Sequence, residues 1–467
     1  MKKVLGIISL LLSTTLATAN SIDFDKAFKE SAKIEKQIKK TSFPKQTYLI
    51  TDFGAKPDTP DAPCHEAINQ AIVTCCLNGG GTVVVPKGTF YTGPITLKSN
   101  VNFHVEEGAV LRFSTDQSLY FPGVITRWEG IDCYNAHPLI YAYGETNIAI
   151  TGKGTIDGQG SNETWWPMCG APRYGWKEGM VAQRNGGRER LLMYGETSTP
   201  IYKRVMTPED GLRPQLINLY SCNTVLIEDV TLLNSPFWVI HPLFCESLTV
   251  RGVYVYNRGP NGDGCDPESC KNVLIENCTF DTGDDCIAIK SGRNQDGRKW
   301  GIPSENIIVR GCYMKKGHGG VVIGSEISGG YRNLYVENCK MDSPDLDRVI
   351  RIKTSTCRGE LIENVFVRNV TVGQCREAVL RINLQYENRE NCNRGFTPTV
   401  RNVHLKNVTC EKSKLGVLII GLDDNDHVYN ISVEDSHFNN VAKDGNDIKG
   451  AKDVTFKNLY INGKLVK

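Results

Sequence analysis

The chain has 467 residues, with 54 lysine and arginine residues against 52 aspartate and glutamate residues, and 40% of its residues are hydrophobic. This near-neutral balance excludes a protein that coats a polyanion through a global basic field, although it leaves room for a local basic patch. The length allows two or three ordinary domains, but repetitive β architectures can reach it as one unit.

The chain begins like a secretory signal of the bacterial type. Two lysines precede the apolar run 4–16, and Ala17-Thr-Ala19 has the small-x-small pattern of a cleavage site. We therefore expect residues 1–19 to be a signal peptide, and its removal takes two of the 54 basic residues and leaves 52. No cysteine precedes Cys64, and no second stretch is apolar enough to cross a bilayer. The sequence thus predicts an exported, periplasmic or secreted protein without a membrane anchor.

Two helical segments are predicted before the strands begin. Residues 20–44 are rich in lysine and place Phe24 and Phe28 one helical turn apart, which fits either an outer helix or a solvated leader. Between residues 64 and 77 apolar residues recur at helical spacing, and Asn78-Gly-Gly-Gly81 ends the pattern. Because a solenoid needs its open end covered, we expect an N-terminal capping helix here.

A self-similar phrase then recurs along the chain. Its clearest copies are 272–280, 306–314, 333–341 and 364–372, and weaker copies begin at Asn147, Asn223, Asn402, Asn430 and Asp453. Each copy has a polar start, alternating β-branched residues and a turn at Asn or Gly, which is typical of a short strand. From Asn272 onward the copies are roughly 23 to 38 residues apart, a spacing that marks a repeat architecture.

The repeat predicts an all-β fold, a right-handed parallel β-helix with one coil per repeat. The recurring asparagine is expected to stack into a ladder of side-chain hydrogen bonds. A β-propeller would need about four strands per repeat and therefore longer units.

The repeat lapses over the insertion 159–213. A long irregular segment on a regular scaffold is more often functional than not. The segment contains Trp165, Trp166 and Trp176, together with Arg173, Lys177, Arg184, Arg188, Arg190, Lys203, Arg204 and Arg213. Rings and guanidinium groups suit a sugar that carries carboxylates, whereas nucleic acid is excluded as a partner by the export signal.

The chain has 17 cysteines, an odd number. Export permits disulfides, but five cysteines recur at or beside the repeated strand motif, which favours small packed core residues. These are Cys222, Cys278, Cys312, Cys339 and Cys410. We therefore predict that most of the cysteines are reduced and packed.

Three carboxylates lie close together within the repeats. Asp263 follows Asn261 by two residues, and the pair Asp284-Asp285 follows Gly283. Adjacent side chains of a regular strand point to opposite faces, so both aspartates of the pair reach one cleft only if the backbone turns there, which Gly283 permits.

Later repeats add groups of opposite charge. His318 stands between two glycines, and Arg351 and Lys353 share a strand face because they are two residues apart. Groups on successive coils of a β-helix stack laterally, so these residues are expected to form one patch with the aspartates.

This patch has a chemical interpretation. Hydrolysis of a glycosidic bond needs one protonated carboxyl group for the leaving oxygen and one carboxylate to activate water or attack carbon. Crowding holds a proton on one of several carboxylates, and Arg351 and Lys353 would bind a substrate carboxylate. From spacing alone, backbone capping or a calcium site explains paired aspartates equally well.

The ordered series consists of Asn261 with Asp263, Gly283-Asp284-Asp285, Gly317-His318-Gly319, Arg351-Ile352-Lys353 and Tyr386. It resembles the signature of glycoside hydrolase family 28, the polygalacturonases, and the resemblance extends over nearly the whole mature chain. It implies a pectate-lyase-like solenoid, with residues 45–467 as a single catalytic domain. It implies no metal and no cofactor.

The resemblance also implies a role for each group. Asp284 would be the general acid, and Asp263 and Asp285 would position and deprotonate the attacking water with inversion at the anomeric carbon. His318 would tune the protonation of the acid. The residues implied in substrate binding are Arg351, Lys353, Tyr386, Lys290, Arg293 and Asn261.

Some positions depart from the family pattern or stay ambiguous. Gly262 stands where threonine is usual. Met314 stands where many relatives have the cysteine that forms a disulfide with the residue equivalent to Cys286. Cys286 therefore lacks its familiar partner, and Cys312 is only a candidate to replace it. Trp238 and His241 are compatible with either a subsite or core packing.

We expect from the resemblance a hydrolase of α-1,4-linked galacturonate in pectic oligo- or polysaccharides, acting from the non-reducing end as a monomer. Exo action is favoured because the insertion and the segment 387–398 could close one end of the cleft. The alternatives are an endo-polygalacturonase, a rhamnogalacturonan hydrolase, a calcium-dependent pectate lyase, and a carbohydrate-binding β-helix without catalysis.

Overall fold

The computed structural model describes residues 22–386, 390–442 and 445–466. The signal peptide predicted over residues 1–19 lies outside these ranges. Among the described residues, none of the helices combines the length and the apolar character that crossing a membrane requires.

Short parallel strands wind into a right-handed β-helix with three long sheets, which confirms the predicted fold. The first sheet consists of Thr47–Leu49, Gly81–Val85, Val101–Val105, Thr146–Thr151, Asn223–Glu228, Glu246–Arg251, Lys271–Glu276, Ser304–Arg310, Tyr331–Glu337, Leu361–Gln374, Thr399–Lys412, Val428–Phe438 and Lys452–Ile461. The last four of these strands continue round a corner into the second sheet.

The other two sheets consist of shorter strands. The second sheet also contains Gly88–Thr92, Ala109–Phe113, Thr155–Asp157, Thr231–Leu233, Tyr254–Asn257, Thr279–Thr282, Tyr313–Lys316 and Lys340–Met341. The third sheet contains Ile95–Thr96, Ile140–Tyr143, Ile217–Tyr220, Ile240–Leu243, Ile287–Ile289, Val321–Ile323, Arg348–Lys353, Ala378–Asn383, Leu415–Ile420 and Asp447–Lys449. Two antiparallel pieces complete the strands, namely the hairpin Val124–Trp128 with Ile131–Asn135 and the terminal strand Lys464–Leu465.

Asparagine side chains form the ladder that the repeat predicts. The amide of Asn306 donates to Asn272 at 3.0 Å, that of Asn333 to Asn306 at 2.9 Å, and that of Asn364 to Asn333 at 3.0 Å. The backbone at Asn333 has a φ of 67°, a left-handed conformation that asparagine tolerates better than most residues. The ladder therefore fixes the same turn on the successive coils from Asn272 to Asn364.

Inward-facing aliphatic residues and cysteines fill the space between the sheets. Fifteen of the 17 cysteines are free, and of these all but Cys76 are buried, in agreement with the expected packing role. Cys286 and its substitute partner Cys312 are both free. The single disulfide joins Cys357 to Cys392.

Two helices from the N-terminal part of the chain pack on the solenoid, one on its side and one at its first coil. Helix α1 spans Phe24–Gln37 and buries Phe24 and Phe28 against the outer face of the first sheet. Helix α2 spans His65–Leu77, and its apolar side packs into the main core at the first coil, as expected for a cap.

A separate superstructure rises over the third sheet. It combines the antiparallel hairpin, helix α3 (Arg188–Glu196) within the insertion, and helix α4 (Asn294–Trp300). Buried ion pairs hold it down: Arg127 of the hairpin contacts Asp132 and Glu268 at 2.9 Å each, and all three side chains are fully buried. Removal of one partner from such a group leaves an uncompensated buried charge, so the hairpin is firmly fixed.

The insertion also contains four short 3₁₀ segments and one π-helical segment. These are Trp166–Cys169, Pro172–Tyr174, Ile201–Lys203 and Pro208–Asp210, with the π-helical turn at Gln183–Gly187. Two further 3₁₀ segments, Ile50–Phe53 and Gln117–Tyr120, lie nearer the N-terminus.

Candidate active site

The candidate catalytic carboxylates lie in the turns that lead from the second sheet to the third. The strands Tyr254–Asn257 and Thr279–Thr282 pair in register, and Tyr313–Lys316 pairs with Thr279–Thr282 with a register shift at Asp281. The turns that follow these strands therefore stack on one another. These turns carry Asp263, then Asp284 with Asp285, and then His318. Residues that are far apart in the sequence therefore lie side by side on neighbouring coils.

Gly283 is required by a close backbone approach. A Cβ atom at this position would lie 2.2 Å from the carbonyl oxygen of Gly259 on the preceding coil. Gly262, where the family usually has threonine, is similarly tight, because a Cβ there would lie 2.6 Å from the same carbonyl oxygen. Gly283 thus lets two coils pack closely beneath the aspartates, and Gly262 lets the turn that carries Asp263 fold tightly on itself.

Asp263, Asp284 and Asp285 bring carboxylate oxygens within 4.8 Å of one another. Asp285 is fully buried and accepts hydrogen bonds from Arg351 Nη1 at 3.2 Å and Lys353 Nζ at 2.7 Å. Cations of the protein thus already balance the negative charge that a calcium ion would otherwise attract. Both cations also line the cleft, where Tyr386 lies with its ring centre 5.6 Å from Arg351 Cζ.

Asp284 is paired with His318. Its Oδ1 lies 2.9 Å from His318 Nδ1, and the side chains are 22% and 45% exposed. Burial alone would raise the pKa of Asp284, but His318, Lys353 and Arg351 lower it below its usual range. In return, Asp284 raises the pKa of His318. The pair therefore retains one proton, which rests on the imidazole in the free site.

Asp263 has the opposite electrostatic character. Its side chain is 5% exposed, and desolvation together with Asp266, Asp284 and Asp285 raises its pKa well above the usual value, although Lys290 opposes the shift. Asp266 is fully buried, and burial raises its pKa to about 8 against the opposing effect of Lys290. The two carboxyl groups thus favour at least one bound proton.

Asp266 is a residue that the sequence reasoning missed. Neither of its oxygens has a hydrogen-bond partner among the described residues, although Lys290 Nζ lies 3.5 Å from Oδ1. It follows Asp263 by three residues in the same turn, so its carboxylate type and its position were both visible in the sequence.

Lys290 and Arg293, which the sequence proposes as substrate contacts, are held by carboxylates at one end of the cleft. Lys290 donates to Glu326 at 3.1 Å and lies 3.6 Å from Asp263. Arg293 contacts Glu129 and Glu390 at 2.6 Å each. Both cations line the cleft, but their charges are largely satisfied within the protein.

The cleft around these groups has a volume of about 330 Å³. A cluster of charged side chains borders the cleft, and we call it the end wall. The end wall consists of Glu129, Arg188, Arg293, Glu326 and Glu390. Its three glutamates were not foreseen, because they come from the hairpin tip, the loop after Val321–Ile323 and the segment after Tyr386, which share no motif.

Other predicted positions divide between cleft and core. Trp238 lines the cleft, with the Lys290 ammonium 4.4 Å from its ring centre. Asn261 also lines it and accepts a hydrogen bond from Arg213 at 2.7 Å. His241 is fully buried and hydrogen-bonded to Glu268 at 2.9 Å, so its role is structural.

The arrangement matches known proteins at the level of family and of fold. The sequence model of glycosyl hydrolases family 28 matches residues 206–452. A probable polygalacturonase of Vitis vinifera is 29% identical over 333 residues, covering 69% of this chain and 60% of the relative. An exo-poly-alpha-D-galacturonosidase of Dickeya chrysanthemi is 27% identical over 387 residues, covering 78% of this chain and 62% of the relative. The chain thus spans about three fifths of the length of these two curated relatives.

Solved structures show the same architecture. An exopolygalacturonase from Thermotoga maritima is 40% identical, with a TM-score of 0.88 and coverage of 94% of this chain and 97% of that chain. A family 28 exopolygalacturonase from Yersinia enterocolitica is 25% identical, with a TM-score of 0.69 and coverage of 91% and 80%.

Proposed function

The chain belongs to glycosyl hydrolases family 28, and we propose that it hydrolyses α-1,4 bonds between galacturonate units of pectic oligo- or polysaccharides, from the non-reducing end. The observation that carries the proposal is the convergence of three carboxylates with the Asp284–His318 pair in a cleft lined by Arg351 and Lys353. These groups supply the acid, the base and the cationic contacts that an acidic sugar needs.

In the proposed reaction, Asp284 gives its proton to the glycosidic oxygen as the bond from that oxygen to the anomeric carbon breaks. A water molecule attacks the anomeric carbon from the opposite side, and Asp263 or Asp285 accepts the proton that this water loses. The products are a free sugar with inverted configuration and a shortened chain. Acid and base then return to their starting states by exchanging one proton with solvent.

The choice of Asp284 as acid has to be reconciled with the pKa directions. These directions place a proton more readily on Asp263 than on Asp284. Position decides against Asp263, because its side chain is nearly buried whereas that of Asp284 is open to the cleft and can reach a leaving oxygen. His318 holds the required proton 2.9 Å away. A bound galacturonate carboxylate would neutralise Arg351 and Lys353, two cations that disfavour a proton on Asp284, and would thereby favour transfer of the proton to Asp284.

The exo mode is supported by the end wall. The two segments that the sequence singled out each contribute to it, Arg188 from the insertion and Glu390 from the segment 387–398. A polymer cannot continue through a cleft that such a wall closes, so only a chain end can reach the catalytic groups. Two exo-acting proteins among the similar structures agree with this proposal.

Product analysis on polygalacturonate tests the proposal. Exo action predicts that a small product of constant size accumulates from the first time points, whereas an early ladder of oligomers would contradict it. Unsaturated products that absorb ultraviolet light would indicate a lyase instead. Unchanged galacturonate release by Asp284→Asn would contradict the catalytic assignment altogether.

Cellular location belongs to the same proposal. The sequence features of residues 1–19 favour export, and a pectic substrate lies outside the cytoplasm. Fractionation of cells that express the full chain would locate the protein, and retention of residues 1–19 in a cytoplasmic product would contradict export.

A further inference from the structure

A second cavity of about 660 Å³ adjoins the cleft on the other side of the Asp284–His318 pair. Five residues line both spaces, namely Glu129, Arg188, Asn261, Asp284 and His318, whereas Asp263 lines only the first. Since the proposed acid stands at the junction and the proposed base stands on one side of it, the two cavities fall on the two sides of the bond that is cleaved.

The insertion supplies the far wall of the second cavity. Arg173 and Arg184 line it together with the exposed carboxylate of Glu189, whereas Arg188 lies on the border with the first cleft. Arg188 is already paired with Glu129 at 2.9 Å. Among the ion pairs of the described residues, neither Arg173 nor Arg184 has a carboxylate within 4.0 Å.

Local packing positions these two unpaired cations. The guanidinium carbon of Arg173 lies 4.8 Å from the ring centre of Tyr174, which also lines the cavity. The stem of Arg184 lies beside Gly170, where a Cβ atom would be 3.1 Å from Arg184 Cδ. The cavity therefore presents an aromatic ring and two guanidinium groups beside the proposed acid.

We propose that this second cavity is the subsite for the leaving sugar and that Arg184, with Arg173, binds the carboxylate of that sugar. The inference rests on the proposed hydrolase function and deepens it. Guanidinium groups recognise carboxylates by two-point hydrogen bonding. A methyl ester removes the charge of this carboxylate, so the site would bind an esterified leaving sugar less well. The bond that is cleaved and the reaction at it would be the same.

The test compares two substrates that differ in the leaving group. Digalacturonate has a carboxylate on the leaving sugar, whereas the nitrophenyl group of 4-nitrophenyl α-galacturonide is uncharged in the bound substrate and has no carboxylate. For each enzyme form, the ratio of kcat/KM on digalacturonate to kcat/KM on the nitrophenyl substrate is measured. Arg184→Gln is expected to lower this ratio about tenfold, and Arg173→Gln with Arg184→Gln further, because a charged hydrogen bond is lost with only one substrate.

Lys177→Gln is the matched control, because Lys177 is an exposed cation of the same insertion that lines neither cavity. Its ratio should equal that of the wild type. Digalacturonate methyl-esterified on the leaving sugar gives a second readout, since Arg184→Gln should narrow the difference between the esterified and free substrates. Thermal unfolding of each variant shows whether it is folded.

The outcomes separate the two proposals. If the wild-type enzyme cleaves neither substrate, the proposed function fails. If it cleaves both, and the ratio for Arg184→Gln and for the double variant matches that of Lys177→Gln, the assignment of the leaving-sugar subsite fails and the hydrolase proposal stands. A reduced ratio with a narrowed ester difference supports the subsite.

Discussion

The assignment of Asp284 as acid, and of Asp263 with Asp285 as the groups that position and deprotonate water, makes a prediction about leaving groups. A nitrophenolate leaves without protonation, so loss of the acid should matter little for a nitrophenyl galacturonide and greatly for a galacturonate chain. Loss of the base should slow both substrates, because water must be activated in either case. Asp284→Asn and Asp263→Asn therefore have different signatures.

The expected magnitude follows from the surroundings of each carboxylate. Asp284 is partly exposed, and among the described residues the one hydrogen-bonded partner of its carboxylate is His318. An asparagine oxygen can still bond to His318, so Asp284→Asn should fold normally. It should lose about a thousandfold in kcat/KM on digalacturonate, about 4 kcal/mol of transition-state stabilisation, and less than about tenfold on the nitrophenyl substrate.

Asp263→Asn should lose about a thousandfold on both substrates. Asp281→Asn serves as a control, because Asp281 lies on the strand that leads into the turn with the catalytic pair but pairs with Arg258 at 2.9 Å outside the cleft. Steady-state kinetics on both substrates are the assay. The opposite result would be a small loss on the nitrophenyl substrate in Asp263→Asn together with equal losses on both substrates in Asp284→Asn. It would reverse the two roles and refute the argument that Asp284 is the acid because it is open to the cleft.

Three further predictions concern the pH profile, the end wall and the ladder. Because Asp284 raises the pKa of His318, the pair keeps its proton up to that raised pKa and loses it above, so activity should fall as the pH rises through it. In His318→Gln this fall in kcat should begin at a lower pH. An unchanged alkaline side of the kcat–pH profile would contradict the idea that Asp284 and His318 share a proton. Cys392→Ser removes a disulfide with a sequence separation of 35 residues, which should cost about 4 kcal/mol in the free energy of unfolding. It should also release the segment beside Glu390, so that early products on polygalacturonate include longer oligomers, while wild-type products from this variant would show that the disulfide does not hold the end wall. Asn333→Ala breaks two ladder hydrogen bonds and puts alanine at a φ of 67°, which should cost about 3 to 4 kcal/mol. Asn333→Gly should recover about 1 kcal/mol of this in urea unfolding, and equal losses would mean that φ contributes nothing.

The repeat made the coils predictable because the chain uses the same short-range chemistry on each one. Asn306 and Asn333 start copies of one phrase, and in the structure they occupy the same turn and bond to each other. The motifs around Asp263 and Asp284 follow strands of that phrase. Because each motif lies on the next coil at the same position, the sequence was enough to predict that the aspartates meet in one cleft.

The end wall could not be predicted in the same way. Glu129, Glu326 and Glu390 come from three loops with different lengths and no common register. Their meeting at Arg293 depends on how the hairpin and the later loops fold back over the third sheet. Likewise, nothing in the spacing of Cys357 and Cys392 distinguished them from the cysteines that only pack.

The in-register stacking of coils also fixes the scale on which this site can change. Neighbouring strands of a sheet lie about 4.8 Å apart, so groups on the stacked turns are spaced by whole multiples of one translation. Asp263 and Asp285 are one step apart, and the next available separation is about twice as large. A point substitution cannot produce an intermediate gap, and gain or loss of a coil would shift every later motif together. We therefore expect specificity on this scaffold to diverge through the loops that overhang the third sheet. The distances between the catalytic groups stay fixed by the spacing of the strands.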